Sequence, residues 1–138
     1  MTKKETRGER IIRFVTEYCV TPEGEHVGKP LVLAEFQKRF IKDVYDNPNG
    51  TRRAYLSIER KNGKSGLIAA ILLAHIIGPE RVLNSQIVSG ARSRDQAALI
   101  YHLAEKMLNL QPKFKGLYRL VPSSKKIIGL KANVEYKA

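Results

Sequence analysis

An apolar segment, Gly66 to Ile77, begins directly after the tripeptide Gly63-Lys64-Ser65 and is interrupted only by His75. It is too short to span a bilayer, which takes about 20 residues. It is apolar on every side, as a helix that runs through a protein core must be. Gly78-Pro79 ends it, because proline cannot continue a helix. The sequence therefore predicts a buried helix over Ser65 to Ile77 with a lysine and a hydroxyl at its start.

The rest of the chain alternates between helical and strand patterns. Apolar residues at helical spacing predict three further helices, over Glu9 to Tyr18, Leu33 to Tyr45 and Ser93 to Leu110. Short apolar runs predict four strands, over Arg53 to Ile58, Gln86 to Ser89, Tyr118 to Val121 and Lys126 to Leu130, with the last two joined as a hairpin. Ala132 to Ala138 contain no glycine or proline that would end a structural element, so the hairpin is expected to lead into further chain. This alternation predicts a layered α/β domain with a largely parallel sheet and flanking helices.

The charge balance predicts an anionic partner. The chain has 25 Lys and Arg against 13 Asp and Glu, a net charge of +12, and small proteins this basic tend to bind nucleic acid, phosphates or acidic surfaces. The alternative is a solvated face that serves solubility alone. The basic residues that flank the predicted elements are Arg52, Arg53, Arg92, Arg94, Lys113, Lys115, Arg119, Lys125 and Lys126. A single cysteine, Cys19, excludes an internal disulfide and fits a reducing compartment.

The segment before the apolar helix has the second half of a phosphate-binding loop. The full pattern is G-x-x-x-x-G-K-[ST] between a strand and a helix, and here its first glycine position falls on Ile58. Gly63 allows the backbone to approach phosphates closely, Lys64 would bridge β- and γ-phosphate oxygens, and Ser65 would ligate Mg²⁺. These residues predict binding of ATP with Mg²⁺. The alternative is a chance Gly-Lys-Ser in a basic turn.

Three stretches in this order resemble the large terminase subunit of tailed bacteriophages. Arg60-Lys61-Asn62-Gly63-Lys64-Ser65 is similar to the variant phosphate loop of that family. Pro30 to Gln37 resembles the segment upstream of the loop, in which a glutamine contacts adenine. Ser89 to Ala97 resembles the strand-to-helix motif that follows it. The likeness runs from about Glu9 to the end of the sequence.

The resemblance implies a P-loop NTPase fold of the ASCE (RecA-like) type and an ATPase that pumps double-stranded DNA into an empty capsid. It implies a host-cytoplasmic location without a membrane, with the portal protein and the small terminase subunit as partners and a possible ring of identical copies. Arg60 would act on the γ-phosphate together with Lys64, and Gln37 would read adenine. Lys61, Asn62 and Gly63 would complete the nucleotide site, and Ser65 would hold the metal.

The sequence departs from the family pattern in one important respect. The family needs an apolar strand that ends in Asp-Glu to hold Mg²⁺ and polarise water, and no such run occurs here; Glu135 follows only Val134 in a polar context. The nuclease acids are missing as well. Residues 1–138 are therefore expected to be the N-terminal part of the ATPase domain, which binds ATP without hydrolysing it alone.

Two other interpretations stay open. The chain could be a basic, non-enzymatic DNA- or protein-binding module with a vestigial loop, which Ile58 and Glu59 favour. It could also be a fragment of a helicase-like ATPase, although the amino-acid sequence from Arg60 to Ser65 fits that class less well.

Overall fold

The computed structural model describes residues 5–21, 27–50, 64–88 and 94–138, without the side chains of 64, 65 and 94–97. The helices are α1 (Arg7–Tyr18), α2 (Glu35–Tyr45), α3 (Lys64–Ile76) and α4 (Arg94–Leu110), and the strands are β1 (Gln86–Val88), β2 (Tyr118–Val121), β3 (Lys126–Gly129) and β4 (Val134–Lys137). Short 3₁₀ turns lie at Pro112–Phe114 and Pro122–Ser124. The predicted helices and hairpin are confirmed to within a few residues. The strand predicted over Arg53 to Ile58 lies outside the described residues.

The described strands form a mixed sheet in the order β1-β4-β3-β2. β1 pairs with β4 in parallel, whereas β2 with β3 and β3 with β4 are antiparallel. The prediction of a largely parallel sheet is therefore wrong for this part of the chain. The physical reason is the length of the connections: β2, β3 and β4 follow one another through short turns, and short turns can join only antiparallel neighbours.

Strand β4 was not predicted from the sequence, yet it lies between β1 and β3 in the sheet. Val134 and Tyr136 point inward and are buried, and Lys137 is exposed. A four-residue strand with two charged members gives too short an alternation to stand out. The preceding Asn133 has a φ of 52°, in the left-handed region, which asparagine tolerates better than most residues.

Helix α3 runs through the core, as the apolar segment predicts. It packs against α1, α4, β3 and β4. Its buried residues lie all around the helix: Leu67, Ala69, Ala70, Leu72, Leu73, Ala74 and Ile76. Helix α3 is therefore held by core contacts from Leu67 to Ile76.

Polar contacts join the first three helices where α2 and α3 end. Asp46 follows α2, and its Oδ1 accepts a hydrogen bond from the Gly8 N–H of α1 at 2.9 Å. The hydroxyl of Tyr45 lies 2.6 Å from Nε2 of His75, so that α2 and α3 meet at their C-terminal turns. Burial raises the pKa of Tyr45 to about 12 and lowers the pKa of His75. Both groups are therefore neutral near pH 7.

Candidate nucleotide-binding site

The candidate phosphate site begins at the N-terminus of α3. Lys64 is the first residue of this helix and Ser65 is the second. The first N–H groups of a helix have no partner within it and carry the positive end of the helix dipole, so they form a natural anion site. This backbone arrangement is the part of the predicted loop that the structure describes. Arg60, Lys61, Asn62 and Gly63 lie outside the described residues, as do the side chains of Lys64 and Ser65.

Gln37, the predicted adenine reader, has a structural role that the sequence did not reveal. It is the third residue of α2 and is only 7% exposed. Its Oε1 accepts a hydrogen bond from the Ala34 N–H at 2.8 Å, which satisfies the backbone where the helix begins. The Nε2 group is then the half of the amide that can donate to a ligand. This cap is hard to predict from the sequence, because the residue before the helix, Ala34, has no side chain that could accept a hydrogen bond.

The two parts of the candidate site belong to one packed frame. Gln37 lies at the start of α2 and Lys64 at the start of α3, and both helices pack on α1. The contact between Tyr45 and His75 fixes α2 and α3 to each other at their opposite ends. Gln37 and Lys64 therefore belong to helices of one packed unit.

A family comparison covers this whole region. Residues 35–128 match the family model of the terminase large subunit, ATPase domain. The chain belongs to this family. The match includes all the predicted nucleotide-site residues, from Gln37 to Ser65, together with α3, α4, β2 and all but the last residue of β3. The resemblance to the terminase large subunit is therefore confirmed.

Two relatives show how much of a terminase large subunit is present. The chain is 61% identical over 133 residues to the terminase large subunit of Enterobacteria phage HK97, a match that covers 96% of the chain and 26% of that protein. It superimposes on the crystal structure of the HK97 bacteriophage large terminase with a TM-score of 0.90 and 59% identity, which covers 97% of the chain and 27% of that structure. The chain thus spans about a quarter of the length of these terminases.

The acidic residue considered for the metal site is engaged elsewhere. Glu135 is the second residue of β4, and its Oε1 lies 3.1 Å from Nζ of Lys126 on β3. Across residues 5–21, 27–50, 64–88 and 94–138 there is no group of three or more His, Cys, Asp or Glu side chains that could hold a metal ion. Within the same ranges, no helix is both long and apolar enough to cross a membrane.

The residues of the predicted basic surface differ in their contacts. Lys113, Lys115 and Arg119 are exposed. Lys113 and Lys125 lie over the rings of Tyr18 and Tyr101, with Nζ 5.5 Å and 6.0 Å from the ring centroids, and Lys126 pairs with Glu135. A charge neutralised by an ion pair, as in Lys126, is a poorer anion ligand than one that only lies over an aromatic ring. Arg52, Arg53 and Arg92, as well as the Arg94 side chain, lie outside the described part of the terminase chain.

Proposed function

We propose that this chain is the nucleotide-binding, N-terminal part of a terminase ATPase domain, within a phage motor that uses ATP and Mg²⁺ to translocate double-stranded DNA into a capsid. The observation that carries the proposal is the family match over residues 35–128, which includes the Gly63-Lys64-Ser65 sequence and the buried helix that starts at Lys64. A buried helix that begins at the lysine of a glycine-lysine-serine sequence suits phosphate binding, because its first N–H groups and its positive dipole end attract an anion.

Each site residue has a distinct role in this proposal. The backbone from Lys61 to Gly63 surrounds the phosphates, Lys64 bridges the β- and γ-phosphates, and Ser65 ligates Mg²⁺. Arg60 stabilises the charge that develops on the transferred phosphoryl group, because its planar guanidinium is permanently positive and can donate two parallel hydrogen bonds. Gln37 donates through Nε2 to the adenine base while its Oε1 remains bound to Ala34.

ATP hydrolysis needs a group that this sequence does not supply. An acidic strand would position Mg²⁺ and the attacking water, and no apolar run that ends in two acids occurs in the chain. The proposed activity of these residues alone is therefore nucleotide binding. DNA, the portal protein, the small subunit and neighbouring copies are the proposed partners of the complete protein.

Isothermal titration with a non-hydrolysable ATP analogue and Mg²⁺ tests this function. We expect saturable binding that weakens from triphosphate to diphosphate and is lost with AMP, because the contacts are concentrated on the terminal phosphates. Equal affinity for AMP, or no binding, would contradict the proposal. Salt-dependent DNA binding in the absence of any nucleotide effect would instead support the non-enzymatic module with a vestigial loop.

The substitution Gln37→Glu separates the two roles of Gln37. A carboxylate oxygen can still accept from the Ala34 N–H, and a negative charge suits the start of a helix. The Nε2 donor is lost, however, so we expect the affinity for the ATP analogue to fall by about tenfold while the fold persists. Gln37→Ala removes both groups and should also lower the unfolding free energy by about 1 kcal/mol. If Gln37→Glu bound the ATP analogue with wild-type affinity, Gln37 would serve only to cap α2 and would not contact adenine.

A further inference from the structure

A groove lies beside α1, at the end of α3 remote from the phosphate loop. It has a volume of about 470 Å³ and is bounded by α1, the turn after α3 and the 3₁₀ turn Pro112–Phe114. We call it the α1 groove. Its floor is aromatic, formed by Phe14, Tyr18 and Phe114, and its rim is cationic, formed by Arg10, Arg13, Arg81 and Lys113. Glu17 is the one acidic residue among the described residues of the lining.

The floor of the α1 groove is held in place by several contacts. The rings of Phe14, Tyr18 and Phe114 pack together with centroid separations of 5.7 to 6.2 Å. Gly78 closes one wall, where a Cβ would come within 2.7 Å of the Ala74 Cα and 3.1 Å of the Phe14 ring. Gln111 donates through Nε2 to the carbonyl of Tyr18 at 2.8 Å. The concave shape is therefore built into the fold and does not depend on a ligand.

The rim carries more positive charge than its neighbours neutralise. Arg13 pairs with Glu5 at 2.7 Å, and Arg81 donates to the carbonyl of Gly78 at 2.9 Å. Among the described residues Arg10 forms no ion pair, and Lys113 lies over the Tyr18 ring at 5.5 Å. Cations on three sides of an apolar floor favour a ligand that is negative at its ends and apolar in its middle.

Nucleic acid fits this arrangement less well than a peptide does. A DNA duplex is stiff and wide and presents phosphates on a convex surface, so it would contact the rim and leave the recessed floor uncovered. A single strand needs several exposed aromatic rings on which successive bases can stack, whereas Phe14 and Phe114 are buried and, among the described aromatic residues of the lining, only Tyr18 is exposed. A carboxylate of a peptide, in contrast, can form an ion pair with an arginine guanidinium on the rim while a neighbouring apolar side chain of the same peptide enters the groove.

We propose that the α1 groove docks a short acidic segment of another protein, with one bulky apolar side chain seated on the exposed Tyr18 ring, which Phe14 and Phe114 support from the core. The groove adjoins Ile77, whereas the phosphate loop precedes Lys64, and the 13 residues of α3 separate them. At 1.5 Å per residue, this is about 20 Å along the helix axis. The proposal is therefore independent of nucleotide binding, and either one can fail without the other.

Fluorescence anisotropy with labelled peptides tests the proposal. The probe is a peptide of about ten residues, composed of Asp and Glu around a single central Phe. Matched peptides carry Ala in place of the Phe or Lys in place of the acids. We expect the Phe peptide to bind to the chain, the Ala peptide to bind at least tenfold more weakly, and the Lys peptide not to bind. Equal binding of the Phe and Ala peptides, or no binding of the Phe peptide, would overturn the proposal.

Protein variants then locate the site. Arg10→Glu combined with Lys113→Glu reverses two exposed rim charges. Arg39→Glu combined with Lys131→Glu changes the net charge equally at two exposed positions away from the groove. We expect the groove variant to lose at least tenfold in peptide affinity and the control less than twofold. Equal losses in both variants, or displacement of the peptide by a short DNA duplex, would overturn the proposal. Thermal unfolding midpoints close to that of the wild type show that each variant is folded.

Discussion

Replacing Lys64 with alanine is expected to lower the affinity for a Mg²⁺-bound ATP analogue by about a hundredfold, which corresponds to about 2.7 kcal/mol. The lysine ammonium is proposed to contact both the β- and the γ-phosphate, and the expected loss lies within the range of about 1.5–3 kcal/mol for a single charge-assisted hydrogen bond, since water can replace part of what the lysine supplies. Alanine is the best helix former and Lys64 is the first residue of α3, so the helix should remain intact. The loss should therefore appear in binding and not in folding.

Titration calorimetry of the Lys64→Ala variant measures this loss, and thermal unfolding checks its fold. Lys131→Ala is the matched control, because Lys131 is an exposed lysine in the turn between β3 and β4. It should bind the analogue as the wild type does. The triphosphate should lose more affinity than the diphosphate, since the γ-phosphate contact exists only in the former. If Lys64→Ala bound the analogue normally, Gly63-Lys64-Ser65 would be a vestigial turn and the nucleotide proposal would fail.

The parts of the fold that the sequence predicted correctly are those in which one physical effect dominates. Helix α3 is apolar on every side, which leaves a buried helix as the natural outcome. The hairpin of β2 and β3 follows from two apolar runs around Pro122, and Lys125 adopts the left-handed conformation that closes the turn, with a φ of 53°. In both cases the information is local, so a short window of sequence contains it.

The parts that the sequence missed depend on residues far apart in the chain. Strand β4 is defined by its pairing with β1 and β3, and β1 lies more than 40 residues earlier. Arg7 pairs with Glu80 across the α1–α3 junction, a contact that no local pattern encodes. The Gln37 cap was missed for a different reason: the glutamine was assigned to a ligand, whereas its Oε1 bonds the backbone of its own helix. Candidate ligand residues can therefore also be structural ones.

Gly129→Ala is expected to lower the free energy of unfolding by about 3 kcal/mol, the upper part of the range for overpacked cores. Gly129 ends β3 where the sheet approaches the end of α3. A Cβ at this position would lie 2.3 Å from the carbonyl oxygen of Ile76 and 3.0 Å from its Cγ2. The oxygen belongs to the backbone of a buried helix, so it cannot rotate away as a side chain could. The helix and the sheet must separate, which opens the core along α3.

Urea denaturation measures the change for Gly129→Ala, with Gly66→Ala as the matched control. Gly66 lies in the first turn of α3, and the structure places no described atom within 4 Å of a Cβ there. Alanine at Gly66 should leave stability unchanged or raise it by up to about 1 kcal/mol, because it restricts the unfolded chain and favours the helix. The two substitutions add the same methyl group, so the difference between them isolates the contact with Ile76. A loss below about 0.5 kcal/mol in Gly129→Ala would mean that α3 moves freely against the sheet. The close contact would then contribute little to holding α3, which begins at Lys64.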